Sequence, residues 1–96
     1  MLHYLLLKMK EGVDIDAFVT EAYKRLERFC DSDILIDDVK IIRNAALRDD
    51  NMDLLIVLRM AGPEVLPGYL ESCIHKDFIS FAGPQVAQKI TFDLEE

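Results

Sequence analysis

The stretch Asp53–Met60, with the sequence DLLIVLRM, decides the fold that this chain predicts. As a β-strand it would be apolar on both faces. One face would carry Leu54, Ile56, Leu58 and Met60, and the other Leu55, Val57 and the stem of Arg59. A strand that is apolar on both faces lies centrally in a sheet that is covered on both sides. The stretch therefore predicts a central strand.

Leu2–Lys10 repeats this two-sided pattern and predicts the other central strand. One of its faces would carry His3, Leu5, Leu7 and Met9, and the other Leu2, Tyr4, Leu6 and Lys8. Two further stretches, Leu35–Arg43 and Val86–Leu94, have more polar residues, which is typical of edge strands. In the first of these we expect Leu35, Val39 and Ile41 to share one apolar face.

Two helical segments separate the predicted strands. In the first, apolar residues recur at helical spacing over Ile15–Phe29, and Asp14 is a good N-cap before it. The second begins near Pro63, which suits a first helical position. Pro67–Gly68 interrupts it, so we expect either a kink there or a regular helix that begins near Pro67. Gly83–Pro84 ends it.

The predicted element order is β-α-β-β-α-β, with the first and third strands central and the other two at the edges. This is the α+β arrangement of a ferredoxin-like fold with a four-stranded antiparallel sheet. We expect residues 1–96 to form a single domain. Two helical segments can cover only one face of the sheet, so we expect a second copy of the chain to cover the other. The sequence therefore predicts a homodimer that forms through the sheet face.

Composition narrows the classes of partner. The chain has 11 basic and 18 acidic residues and a net charge of -7. Phosphate-backbone and anionic-lipid binding both depend on lysine and arginine, so we expect neither nucleic acid nor membrane as a partner. No stretch approaches the ~20 apolar residues that span a bilayer. The opening residues lack the basic region and cleavage site of a secretory signal, and we expect a cytoplasmic protein.

The sequence indicates no cofactor and no metal site. Cys30 and Cys73 lie far apart without CxxC spacing, which predicts free, partly buried thiols. The aspartates within Asp31–Asp38 and at Asp49–Asp50 lack the spacing of a calcium loop, and a solvated acidic face is the simpler interpretation. No glycine-rich phosphate loop, zinc-ligand cluster or Ser-His-Asp set is present. Any chemistry would then consist of proton transfer or be driven by the substrate itself.

Three segments together resemble the stress-responsive A/B barrel family, whose members are called Dabb domains. They are LHYLLLKMKEGVD at the start, NMDLLIVLRM in the middle, and YLESCIHKDFISF followed by ITFDLE near the end. The resemblance covers nearly the whole chain and rests on the order and spacing of these segments. It implies a dimeric α+β barrel in which the two sheets meet and the helices lie outside.

One branch of that family, the olivetolic-acid-cyclase type, cyclises a linear polyketide without a cofactor. The resemblance places its acid/base pair at Tyr69 and His75 and a pocket histidine at His3. The family motif has further histidines where this chain has Ser72 and Leu54, so the predicted pocket, which includes both positions, is less polar. Alternatively, His75 could cap a helix end or bond a backbone carbonyl after a chain bend.

The sequence leaves three functions open. The first is binding of a small hydrophobic or aromatic ligand in a cleft between sheet and helices, lined by His3, Tyr69 and His75. The second is a cofactor-independent cyclase or lyase that uses His75 as base and Tyr69 as acid. The third is a non-catalytic structural dimerisation module, which predicts no pocket.

Overall fold

The computed structural model describes residues 1–96. It has four strands, namely β1 (Leu2–Met9), β2 (Ile36–Arg43), β3 (Leu54–Met60) and β4 (Val86–Leu94). Its three α-helices are α1 (Ile15–Leu26), α2 (Leu66–Glu71) and α3 (Cys73–Ala82). Three short 3-10 helices span Glu27–Asp31, Pro63–Val65 and Gly83–Gln85. None of the helices is both long and apolar enough to cross a membrane.

The four strands form one antiparallel sheet in the order β2-β3-β1-β4. The predicted ferredoxin-like α+β fold is thereby confirmed, with β1 and β3 central and β2 and β4 at the edges. Both central strands alternate strictly between buried and half-buried positions, apart from exposed Arg59. The alternation follows from the two-sided pattern that the sequence predicted, because successive side chains of a strand point to opposite faces.

All three helices pack on one face of the sheet. The core on that side contains Leu5 and Leu7 of β1, Ile56 of β3, Phe18 of α1 and Phe78 of α3. The opposite face has no covering element within the chain. Its side chains are largely apolar and come from all four strands: Leu2, Tyr4, Leu6, Ile42, Leu55, Val57, Ile90, Phe92 and Leu94. We call these nine residues the open face.

The prediction for β2 was wrong in one detail. Leu35 does not share the inward face with Val39 and Ile41, since it precedes the strand and is 64% exposed. Ile36 takes the inward position instead and is 3% exposed. The β2–β3 register shifts between Ile36 and Asp38. A bulge of this kind adds one residue to one strand, so the simple alternation of faces fails across it.

The regular helix of the second segment begins beside Pro67, which was one of the two predicted alternatives, since α2 starts at Leu66 after the 3-10 turn at Pro63–Val65. The segment is interrupted farther along, at Ser72. Pro67 lies within the first turn of α2, where no intrahelical backbone bond is lost. Ser72 is extended, with φ −66 and ψ 150, and it both ends α2 and caps α3. Its hydroxyl donates to the Tyr69 carbonyl at 2.7 Å and accepts from the His75 backbone N–H at 3.1 Å.

Cys30 and Cys73 are free, as predicted, but both are exposed, so the expected partial burial was wrong. Cys30 lies at the end of the 3-10 segment that follows α1, and Cys73 begins α3 on its outer side. Local desolvation and the negative charges of Asp31, Asp38 and other nearby carboxylates raise the pKa of the Cys30 thiol. A thiol that is held protonated in this way is a weak nucleophile.

Candidate functional site

A cleft of about 330 Å³ lies between the β1–β4 edge of the sheet and helices α2 and α3. Its sheet wall consists of His3, Leu5, Lys89, Thr91 and Asp93. Its helix wall consists of Leu66, Tyr69, Leu70, His75 and Ile79. The polar groups therefore lie mainly on β4 and on the Tyr69–His75 segment, whereas leucine and isoleucine supply the apolar lining.

Strand register explains the sheet wall of this cleft. β1 and β4 are antiparallel, and His3 faces Asp93, Leu5 faces Thr91 and Leu7 faces Lys89. These β1 residues point towards the helices, so their β4 partners do too. β4 has no buried residue, because it is an edge strand that the helices only partly cover. The cleft is open for this reason.

Tyr69 is the centre of the site. It is only 2% exposed, and its ring lies 5.3 Å from that of His3 and 4.7 Å from that of His75. Its hydroxyl makes no hydrogen bond within the chain, although no fully buried side-chain nitrogen or oxygen lacks a partner. The hydroxyl is therefore the part of Tyr69 that reaches the cleft. Burial, and secondarily the charge of Asp93, raise the pKa of the Tyr69 phenol, so it remains a hydrogen-bond donor at neutral pH.

His75 is anchored by the chain bend that separates α2 and α3. Its Nδ1 lies 3.2 Å from the Leu70 carbonyl oxygen. Because a carbonyl only accepts, we assign the proton to Nδ1, which makes Nε2 an acceptor in the neutral ring. Burial lowers the pKa of His75, the bond to Leu70 opposes the shift, and the positive charge of Lys89 and the neighbouring His3 lower the pKa further. His75 is thus a neutral base at pH 7.

His3 is oriented from the edge strand. Its Nδ1 lies 2.5 Å from the Asp93 carboxylate, and the His3 side chain is almost fully buried while that of Asp93 is half-exposed. A carboxylate that accepts from one ring nitrogen fixes the orientation of the imidazole and directs the other nitrogen elsewhere. His3 and His75 thus flank Tyr69, and each ring is held by its own acceptor.

The structure brings three of the predicted site residues together, namely His3, Tyr69 and His75. It does not bring Leu54 to this cleft: Leu54 is a buried core residue of β3 that pairs with Leu7. Ser72 does not line the cleft either, and it acts through the two hydrogen bonds that shape the α2–α3 bend. The backbone-carbonyl bond that was the alternative interpretation of His75 is present, and it coexists with a place on the cleft wall.

Asp93, Lys89 and Thr91 were missed by the sequence analysis as site residues. In the sequence they are only the polar half of an edge strand. Their role on the wall becomes visible once β4 is paired with β1 in antiparallel register, which places Asp93 opposite His3. Alternation along β4 then puts Thr91 and Lys89 on the same face as Asp93.

A larger cleft of about 600 Å³ lies at another place on the molecule, and Cys30, Asp37, Arg59 and Ala61 are among its lining residues. It contains none of the predicted site residues. We assign the candidate site to the smaller cleft, because an unpartnered hydroxyl and two histidine rings converge there on an apolar lining. Size alone does not distinguish a binding site from a surface depression.

The arrangement can bind and polarise an oxygen-bearing molecule. The Tyr69 hydroxyl can donate to a carbonyl or hydroxyl oxygen, while the neutral His75 ring can accept a proton from a neighbouring atom. Leu5, Leu66 and Ile79 offer apolar contact to the rest of such a molecule.

The sequence matches no protein-family model and no curated protein. Solved structures, however, match almost the whole chain. A protein from Arabidopsis thaliana is 13% identical with a TM-score of 0.82, covering 99% of this chain and 93% of its own. A Dabb family protein with a ferredoxin-like fold from Mesorhizobium loti is 15% identical with a TM-score of 0.78, covering 99% and 94%.

A dimeric protein of unknown function from Bacteroides fragilis, also with a ferredoxin-like fold, is 12% identical with a TM-score of 0.78. The match covers 99% of this chain and 94% of that protein. Identities this low establish likeness of fold and leave function to the site. The chain thus has the ferredoxin-like α+β fold that its resemblance to the Dabb family implies.

Proposed function

We propose that this chain is a small, single-domain Dabb-type protein that acts as a homodimer and binds a small hydrophobic or aromatic ligand between the sheet and helices α2 and α3. The order of the three family-like segments and the shared fold support the family assignment. The free Tyr69 hydroxyl, held between two histidine rings in a cleft that also has apolar walls, is the observation that carries the ligand proposal.

The size and composition of the cleft support a small ligand. Pockets for small molecules typically enclose ~300–1,000 Å³ and combine apolar walls with a few polar groups. This cleft has about 330 Å³, with Leu5, Leu66 and Ile79 as apolar contacts. The half-buried His75 ring presents a further flat surface on which an aromatic ligand could pack.

The open face supports a homodimer formed through the sheet. Phe92 is 61% exposed there, and Ile42, Ile90 and Leu94 are each more than 40% exposed. Monomeric proteins rarely leave an apolar patch of this extent uncovered. Neighbours of the same fold from Bacteroides fragilis and Thermobifida fusca are described as dimeric. A second copy would offer the same apolar surface and could cover this one.

We place the protein in the cytoplasm, with neither nucleic acid nor membrane as partner. Both cysteines are free thiols on the surface, and such thiols are typical of reducing compartments. The net charge of -7 opposes binding to phosphate backbones and to anionic lipids.

A cofactor-independent cyclase or lyase is the second candidate, and the state of His75 favours it. A neutral imidazole with an available Nε2 could remove a proton from the carbon next to a carbonyl group. Tyr69 could donate to the oxygen on which negative charge develops, and the resulting enolate could close a ring in an aldol-type step. His3, held by Asp93, is a second base on the opposite wall.

A purely structural dimerisation module is the third candidate. Such a module would use the same open face but would need no cleft. It would not account for the unpartnered Tyr69 hydroxyl. The cleft therefore favours a ligand-binding protein over this alternative.

Binding of 2-naphthol and acetophenone, followed by amide NMR shifts, tests the ligand proposal. We expect Tyr69→Phe to weaken binding about three- to tenfold, since it removes one hydrogen bond and little volume. His75→Ala should weaken it as well. Thr20→Val is the matched control, because it removes an exposed hydroxyl on α1, away from both the cleft and the open face. If neither cleft variant alters the binding of these ligands, the site assignment is wrong.

Turnover distinguishes the enzyme from the binding protein. We expect a cyclase to convert a linear β-keto substrate and to lose that activity in His75→Ala, while Thr20→Val keeps it. A chain that binds the aromatic probes through Tyr69 but leaves β-keto substrates unchanged is the binding protein.

A further inference from the structure

We infer that the cleft takes a carboxylic acid with an apolar tail, and that Lys89 selects the acid over a neutral molecule. The carboxylate would lie at Lys89, and the tail would enter a second cavity farther along β4. This inference rests on the proposed ligand-binding function and specifies the chemical class of the ligand.

The second cavity continues the first along the seam between β4 and α3. It encloses about 230 Å³ and shares Leu5, Ile79 and Lys89 with the cleft around Tyr69. Its further walls are mainly apolar, with Leu7, Phe78, Ala82, Val86 and Ala87 among them. The two cavities therefore form one elongated groove with a polar end at His3 and an apolar end at Ala82.

The apolar end has room for a defined tail. A protein cavity of ~150 Å³ with apolar walls can hold a benzene molecule. The second cavity is larger than that, so a phenyl ring or a short alkyl chain fits its volume. Such a tail would cover the largely bare side of β4, which contributes no buried residue of its own.

Lys89 is the charged group at the junction of the two cavities. Its ammonium makes neither a hydrogen bond nor an ion pair within the chain, and its charge is close enough to lower the pKa of His75. Asp93, the carboxylate of this wall, lies four residues farther along the strand, about 13 Å away, and is engaged with His3. An anionic head group thus meets an unpaired cation, although the protein as a whole is acidic.

Calorimetry with a series of simple acids at pH 7.5 tests the proposed class. The probes are butanoate, hexanoate and octanoate, with hexanamide as the neutral counterpart of hexanoate. Because Lys89 is exposed and its charge is partly screened by water, we expect hexanoate to bind about three- to fivefold more tightly than hexanamide. Affinity should rise from butanoate to octanoate by about fourfold for each methylene that is buried.

Two pairs of variants separate charge from tail. Lys89→Gln should reduce hexanoate affinity to that of hexanamide, Lys89→Arg should retain most of it, and Lys24→Gln on α1 controls for net charge. Ala87→Leu should fill the second cavity and abolish the dependence on chain length while butanoate still binds. Ala46→Leu, in the β2–β3 loop, is its control.

The outcomes distinguish this inference from the function on which it rests. Equal affinities for hexanoate and hexanamide, both reduced by Tyr69→Phe, would leave the ligand site in place and overturn the acid specificity. Affinities that do not depend on chain length would overturn the tail cavity. Failure of every acid and of 2-naphthol to bind would overturn the proposed function as well.

Discussion

His75 is the residue whose altered pKa is most easily measured, because it titrates close to neutral pH. Burial and the charge of Lys89 lower its pKa, so NMR titration should give a midpoint below the ordinary histidine value of 6.5. Because His3 is the only other histidine, a single His3 or His75 variant is enough to assign the two imidazole signals. Lys89→Gln should raise the midpoint, whereas Lys24→Gln should not. A midpoint of 6.5 or higher would contradict the buried, neutral base.

The same shift gives a direction for stability. Because the folded state resists protonation of His75, the unfolded chain binds more protons as the pH falls below 6.5. This group therefore lowers the free energy of unfolding progressively between pH 6.5 and its own lower pKa. Urea denaturation at pH 7.5 and pH 5.5 should show that decrease, and His75→Gln should reduce it. An unchanged pH dependence in that variant would count against the shift.

At this scale the sequence predicted one half of the site. His3, Tyr69 and His75 could be named because the resemblance carries these residue types at these positions. Asp93 could not, since it is 90 residues from His3 and the contact depends on strand register. Likewise, nothing in the sequence distinguishes Lys89 and Thr91 from the ordinary polar residues of an edge strand.

The bend at Ser72 is the element-scale feature that shapes the site. Its hydroxyl caps α3 and holds the last turn of α2, so it fixes Tyr69 relative to His75. We expect Ser72→Ala to lower the free energy of unfolding by about 1 kcal/mol, the usual value of an N-cap. The variant should also weaken binding of 2-naphthol, because the bend positions Tyr69 relative to His75, although Ser72 itself does not line the cleft.

Ser80→Ala is the matched control, because Ser80 is an exposed serine within α3. Its urea-unfolding curve and its 2-naphthol affinity should remain close to those of the unaltered protein. If Ser72→Ala and Ser80→Ala behave alike, the bend does not position the site.

Elements with strong periodicity were predictable, and local breaks were not. The sequence predicted central strands at Asp53–Met60 and Leu2–Lys10, because each stretch would be apolar on both faces of a strand. Pro67 marked the start of the regular helix, since a proline is compatible with a first helical turn. The break at Ser72 had no comparable signal and was missed. Leu35 was assigned inward because no local signal marks the bulge after Ile36. The missed break at Ser72 and the wrong face for Leu35 both come from backbone geometry that side-chain polarity does not encode.

For the whole molecule, the edges of the sheet bear on how two copies would meet. The Tyr23 hydroxyl accepts from the Ile41 backbone N–H at 2.8 Å and lies 3.3 Å from the Ile41 carbonyl oxygen. These groups lie on the free edge of β2, so α1 occupies part of the edge where another strand could add. Strand addition there is disfavoured. The open face remains the larger uncovered surface, which favours association of face with face.

Phe92→Asp tests that association. In a twofold dimer every substitution occurs twice, so losing an aromatic contact worth about 2 kcal/mol would cost about 4 kcal/mol, or ~10³-fold in the dissociation constant. We expect the unaltered chain to sediment as a dimer at micromolar concentration and Phe92→Asp as a monomer. Leu47→Asp is the control, because Leu47 is also about half-exposed but lies in the β2–β3 loop. A stable monomer of the unaltered chain, or a Phe92→Asp dimer, would show that a second copy does not cover the open face.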